Sequence, residues 1–145
     1  MTGDGNGQAG RIAASFGRQA FLRTLGARLD RVEAGLCVLS LDLVPSLGQQ
    51  QGFGHAGVAF TLGDTAAGYA ALTTMPEGAE VMTVEMKINL LRPAAGTGLV
   101  ATGRVARAGR RLTVVTAEVE SLDAEGTRRV VALLQGTMIP VEAGA

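Results

Sequence analysis

The sequence predicts an α+β domain in which one long buried helix is wrapped by a curved antiparallel β-sheet. Three observations predict it. The first is the stretch from Gln49 to Leu72, where Asp64 is the only formally charged side chain between Asp42 and Glu77. Its apolar part, Val58 to Leu72, contains no Pro and is too long for an ordinary strand, so it reads as a helix. Apolar nearly all round, that helix must be buried rather than amphipathic. The second is the alternation of Met82, Val84, Met86, Ile88 and Leu90 with Thr83, Glu85, Lys87 and Asn89, which is the period of a strand. The third is a run of strand-length segments after it, separated by short turns containing Gly. A helix with no polar face needs covering, and one antiparallel sheet folded around it is the economical solution.

A chain of 145 residues is long enough for one domain with a real core. Residues 1–10 are Gly-rich and polar and read as a disordered lead, leaving 11–145 as a single domain. That lead lacks the basic segment and apolar core of a secretory signal, so a cytoplasmic protein is expected. The long helix is short of a membrane span and carries an acid at its centre, which argues against crossing a bilayer. Zero net charge and 3% aromatic residues argue against a nucleic-acid partner. One Cys and one His supply neither a disulfide nor an ordinary zinc ligand set.

Taken in order, Ile12, Phe16, Phe21 and Leu25 recur at helical spacing, predicting one or two short helices broken near Gly17. Ala27 to Val32 and Leu36 to Val44 read as strands around the turn Glu33-Ala34-Gly35, with Pro45 ending the second. Cys37 lies in that second strand and reads as packing, because no base stands nearby in sequence to activate it. After the long helix and a polar loop come four strands: Val81–Leu91, Leu99–Arg107, Leu112–Leu122 and Arg128–Ile139. They are read as a meander. Gly63 and Gly68 weaken the helix by roughly 1 kcal/mol each, which makes sense where a backbone or a ligand must approach closely. A lone carboxylate at Asp64 needs either a partner or a task.

Three separated motifs carry a resemblance to a known family. They are Gly54-His55-Ala56-Gly57 followed by Asp64 and Ala66-Ala67-Gly68-Tyr69-Ala70-Ala71, then Thr83 through Ala94, then Gly103 through Arg111. Over roughly Gly35 to Pro140 the chain resembles the hotdog-fold thioesterases of the PaaI type. The resemblance implies a long helix wrapped by a five- or six-stranded sheet, dimers whose sheets join, and homotetramers. It also implies hydrolysis of acyl-CoA thioesters with no metal and no cofactor, coenzyme A being part of the substrate.

The residues are compatible with that chemistry. Gly57 and Asp64 fall on nearly the same helical face, about 10 Å apart along the axis. A reacting carbonyl needs its polarising donor and its base within about 3–3.5 Å. A homodimer with two antiparallel helices, Gly57 from one chain and Asp64 from the other, meets that demand. The N–H groups near Ala56 and Gly57 would stabilise the developing negative charge. Asp64 would attack directly or deprotonate a water; the alternative is a buried structural acid, though no basic residue lies within a helical turn to pair with it. By the resemblance, His55 orders the helix-start turn and Gln49 stands where many relatives carry Asn, a task Gln50 could also take. Ala56 replaces the middle Gly of the commoner motif. Thr83 matches a hydroxyl residue that holds the attacking water in some relatives, and equally reads as an ordinary strand Thr.

From Lys87 through Ala117 there are six basic residues and no acid. Individually these suit a solvated rim; as a group they suit coenzyme A phosphates, with Arg92, Arg110 and Arg111 the chosen contacts. Small Ala and Gly lining with Phe53, Phe60, Tyr69 and Met82 would accept a medium-chain or aryl acyl group. Two other activities remain open at this level: a non-catalytic acyl-CoA sensor, and an enoyl-thioester hydratase.

Overall fold

The computed structural model describes residues 4–144. Two helices, α1 (Asp4–Gly17) and α2 (Ala20–Thr24), precede strands β1 (Arg28–Glu33) and β2 (Leu36–Asp42). A 3-10 turn at Pro45–Leu47 leads to the long helix α3 (Ala56–Leu72). Strands β3 (Ala79–Leu90), β4 (Gly98–Ala108), β5 (Thr113–Leu122) and β6 (Arg128–Glu142) complete the chain. All six strands form one antiparallel sheet in the order β1-β2-β4-β5-β6-β3.

Helix α3 packs on β2, β3, β4, β5 and β6, so the sheet wraps it as its composition requires. Leu62, Ala66, Ala67, Ala70 and Ala71 are fully buried there against Leu39, Leu99, Ala101, Val115 and Val119. The tightest approach is between backbones. A Cβ on Gly103 of β4 would stand 2.3 Å from the carbonyl carbon and oxygen of Ala66. The sheet, not the helix, therefore contributes the glycine that lets α3 seat. On α3 itself, a Cβ at Gly63 would meet Leu134 at 2.9 Å, whereas one at Gly68 would find nothing closer than 3.8 Å. Gly63 is thus approached closely by side-chain ends rather than by a backbone, and Gly68, which no protein atom crowds, lines a cavity beside Asp64.

The burial of α3 is incomplete along one stripe. Gly57 is exposed, and Phe60, Thr61, Asp64 and Thr65 are only half-buried. Their spacing of three and four residues places them on one face. Asp64 sits at the centre of the gap in the sheet's wrap.

Three expectations need correction. Residues Asp4–Gly10 are helical as part of α1 rather than disordered, while Met1–Gly3 lie outside the described residues. Composition misled because docking decides: Gln8 Nε2 donates to Thr73 O (3.0 Å), Arg11 donates to Pro76 O (3.1 Å) and Ala79 O, and Ile12 is fully buried. Next, β4, β5 and β6 form a meander, but β3 leaves it, crossing to the far edge to pair with β6. Local turn signals specify β4–β5 and β5–β6 only; the longer connections on either side of β3 leave its neighbour open. Finally, β3 does not present one continuous apolar face. A bulge between Thr83 and Glu85 switches the side-chain parity, as an extra residue in one strand must. Val81, Met86 and Ile88 pack on the core, while Met82 and Val84 are 56% and 57% exposed. Met82 therefore points outward instead of lining a cavity beside α3.

Candidate active site

The start of α3 is organised by His55. It is the N-cap, extended at φ −63° and ψ 137°, and its Nδ1 accepts the Gly57 N–H at 2.8 Å. Nδ1 can accept only when it carries no proton, so the ring is held with hydrogen on Nε2. This bond occupies the Gly57 donor. The Ala56 N–H has no hydrogen-bond partner among the described residues. The loop before it folds back on itself: Gln49 Oε1 accepts from the N–H groups of Gln51 and, at 3.4 Å, Phe53. Gln49, Phe53, His55, Ala56 and Arg92 all line a cavity of about 460 Å³ at this end of the helix. Gln51, not Gln50, joins them there.

Asp64 opens on a second cavity, of about 330 Å³, whose walls include Ser15, Gln19, Gly68, Tyr69 and Thr83. No residue lines both cavities. Two turns of helix thus separate the polarising end from the acid within one chain, about 10 Å along the axis. Thr83 Oγ1 donates to Asp64 Oδ1 at 2.8 Å. Among the described residues Oδ2 has no protein partner and no cation pairs with the carboxylate. Burial pushes the Asp64 carboxyl above the usual carboxylate range, and the Thr83 hydrogen bond draws it part of the way back. A carboxylate made more basic by burial, with one oxygen free, is suited to taking a proton from water or attacking a carbonyl.

The basic segment is not gathered in one place. Arg92 stands by the helix-start cavity, its Nη1 donating to Val130 O at 2.6 Å. Arg110 and Arg111 occupy the β4–β5 turn, whose flanking residues Ala108 and Thr113 align through Met138 with Thr83. Counted along β6 from Ala132 opposite Leu90 to Met138 opposite Thr83, the two ends are roughly 20 Å apart. Lys87 and Arg104 line a groove on the outer face of the sheet instead. Alternation of strand side chains between two faces separates residues that a linear count of charges groups together.

Ser15, Gln19 and Tyr69 form a polar wall of the Asp64 cavity; Tyr69 is among the residues expected to line the acyl site, whereas the sequence marks neither Ser15 nor Gln19. A signal existed: a single Tyr in an apolar helix needs a partner for its hydroxyl. Cys37 is fully buried, and burial, helped by Asp30, pushes its thiol up to about 12, which fits packing and not nucleophilic chemistry.

A family model described as the thioesterase superfamily matches residues 51–127, which include His55, Asp64, Thr83, Arg92, Arg110 and Arg111. The chain belongs to that superfamily. A thioesterase family protein from Silicibacter pomeroyi, known from a crystal structure, is 39% identical with a TM-score of 0.90, covering 94% of this chain and 99% of that one. The PaaI protein of the E. coli phenylacetic acid degradation operon is 26% identical with a TM-score of 0.80, over 92% of this chain and 94% of that one. A candidate esterase of Halobacterium salinarum is 32% identical over 137 residues, 88% of this chain and 90% of that one. The fold of this thioesterase is the hotdog fold, and thioester hydrolysis is its reaction. No helix among the described residues is long and apolar enough to cross a membrane.

Proposed function

We propose that this thioesterase hydrolyses acyl-CoA thioesters with medium-chain or aryl acyl groups, with Asp64 performing the chemistry. The observation that carries this reading is the half-buried Asp64 carboxylate, unpaired by any cation among the described residues and opening on a cavity beside its Thr83 donor. Acting as base, Asp64 takes a proton from water while the water oxygen adds to the thioester carbon. The carbon–sulfur bond then breaks and the thiolate leaves as CoA, recovering the proton from Asp64. Acting as nucleophile, an Asp64 oxygen adds to the carbon, CoA leaves, and water hydrolyses the mixed anhydride. Both routes yield free acid and CoA and need a donor for the carbonyl oxygen as it becomes negative. The Ala56 N–H is free for that role, and the Gly57 N–H joins it when the His55 imidazole turns aside. Gln49 stays a supporting residue, holding the loop that carries His55.

The complete site is composite. Two copies related by a two-fold axis, with their α3 stripes facing antiparallel, bring the helix start of one protomer to Asp64 of its partner. The same operation brings Arg92 of one protomer toward Arg110 and Arg111 of the other, making one CoA site from the two separated basic ends. A homotetramer would then be a pair of such dimers. The protein acts in the cytoplasm, where CoA thioesters are made.

The test is CoA release from a panel of acyl-CoAs, followed with a thiol reagent. The wild-type protein should release thiol from medium-chain or aryl members, and Asp64→Asn should lower kcat by roughly 10²- to 10⁴-fold. Turnover close to wild type in Asp64→Asn rules out the assigned role.

A further inference from the structure

The polar wall of the Asp64 cavity has no step of hydrolysis to perform. Tyr69 is 3% exposed, and its phenol oxygen accepts from Gln19 Nε2 at 2.7 Å. The same oxygen shares a 3.0 Å hydrogen bond with Ser15 Oγ. An amide nitrogen donates and never accepts, so Gln19 fills an acceptor site on the phenol and takes none of the pair's protons. Ser15 and Tyr69 then hold two hydroxyl protons but share one bond. Whichever hydroxyl donates, the other keeps a proton, and neither makes a further hydrogen bond among the described residues. One O–H is therefore left over at the wall of the cavity of about 330 Å³ that contains Asp64.

Charge narrows what can meet it. Glu80 lines the same cavity as Asp64, and its partner Arg18 is an exposed residue 3.6 Å away. Two carboxylates beside one pocket disfavour an anionic acyl tail. We infer that Ser15, Gln19 and Tyr69 are specificity-determining residues, selecting acyl groups that carry a neutral hydrogen-bond acceptor at their distal end. Keto and ether oxygens belong to that class; plain alkyl or aryl ends and carboxylates do not. This rests on the reading that the acyl group of an acyl-CoA occupies the Asp64 cavity.

The probes are matched pairs differing by one distal oxygen: hexanoyl-CoA against 5-oxohexanoyl-CoA, and benzoyl-CoA against 4-methoxybenzoyl-CoA. Wild-type kcat/KM should favour the oxygenated member of each pair by roughly two- to tenfold, the range of one net hydrogen bond. Ser15→Ala and Tyr69→Phe each remove one hydroxyl proton and leave one, so each single variant should keep part of the preference. The double variant has none, but it also frees the Gln19 N–H that the Tyr69 oxygen accepts; adding Gln19→Leu removes that donor, and the ratio of the triple variant should fall to about one. Equal kcat/KM within each pair for the wild-type enzyme overturns the inference whether or not the triple variant folds, and so does a preference that survives in a folded triple variant. Failure of the underlying reading looks different: either no member of either pair is hydrolysed, or Asp64→Asn hydrolyses them as the wild type does.

Discussion

Thr83 Oγ1 lies 2.8 Å from Asp64 Oδ1, so the edge strand β3 donates a hydroxyl hydrogen bond to the one acid of the central helix. Burial raises the acid's pKa and this bond lowers it. Thr83→Val keeps the shape and removes only the lowering cause. The acid limb of the kcat/KM against pH profile should move to higher pH, and Thr83→Ser should restore it. A limb that stays in place in Thr83→Val would separate Asp64 from the ionisation that limits the rate.

The same raised pKa predicts the sign of a stability effect. Native Asp64 holds its proton more tightly than the unfolded chain does, because burial disfavours its charged form. Its contribution to stability is fully present below the unfolded pKa and is lost as pH rises through the folded pKa. At neutral pH the ionised side chain is a cost, so Asp64→Asn should melt at a higher temperature than wild type. The difference should shrink as the buffer is taken down past the ordinary carboxylate range. An Asn variant less stable at pH 7 than at pH 4, relative to wild type, contradicts the burial account.

How much of this was legible in the sequence depends on the range of the interactions involved. The helix was legible because an uncharged run around Asp64 has only one place to go, the inside of a sheet. The acid itself stood out for the same reason. The face of β3 was not legible, because one inserted residue at Val84 reverses the parity and nothing local announces it. Ser15 and Gln19 were missed because they join the Asp64 cavity through hydrogen bonds to Tyr69, 50 or so residues away in sequence. The placement of the basic residues was not legible because a linear count of charge ignores strand length, which sets Arg92 roughly 20 Å from Arg110 and Arg111 within one chain, and strand alternation, which turns Lys87 and Arg104 to the outer groove.

Two glycines separate fold from site. At Gly103 a Cβ would overlap the Ala66 backbone at 2.3 Å, and backbone cannot rotate away as a side chain can. Gly103→Ala should cost about 3 kcal/mol, or roughly 10 °C in Tm. At Gly68 a Cβ would make ordinary contacts with Met138 at 3.8 Å and Val81 at 3.9 Å while projecting beside the Asp64 cavity. Gly68→Ala should therefore stabilise the helix by up to about 1 kcal/mol yet lower kcat/KM for bulky acyl groups. Calorimetry with an acyl-size series checks both; a Gly103→Ala protein melting like wild type would contradict the packing.

Arg110 and Arg111 lie at the end of the sheet that carries Thr83, and Arg92 lies at the other. If each end contributes to one CoA site in a dimer, neutralising either end should have the same signature. Arg110→Ala/Arg111→Ala and Arg92→Ala should each raise KM for acyl-CoA several-fold, with kcat little changed. Pantetheine thioesters, which lack the nucleotide phosphates, should be insensitive to both changes. Equal losses on the full and truncated substrates would place these arginines outside phosphate binding.

The composite site makes the strongest demand. Within one chain the helix start and Asp64 open on different cavities, about 10 Å apart along the helix. The half-covered stripe through Phe60, Thr61 and Thr65 and the exposed Met82 and Val84 on edge strand β3 supply an apolar surface for a second copy. Complementation follows. Ala56→Pro removes the free N–H at the first helical position, where Pro is best tolerated, and the extended His55 before it already has the backbone that Pro requires. Asp64→Asn removes the acid. Each homodimer then has two half-sites of the same defect and should be nearly inactive. A heterodimer of the two pairs an intact helix start with an intact Asp64 at one site, while its other site carries both defects. After subunit exchange at equal concentrations, half of the dimers are mixed and each has one working site, so activity should return to about a quarter of wild type. Exchanged mixtures as inactive as either parent, or a monomer by light scattering with full activity, would show that one chain builds the whole site.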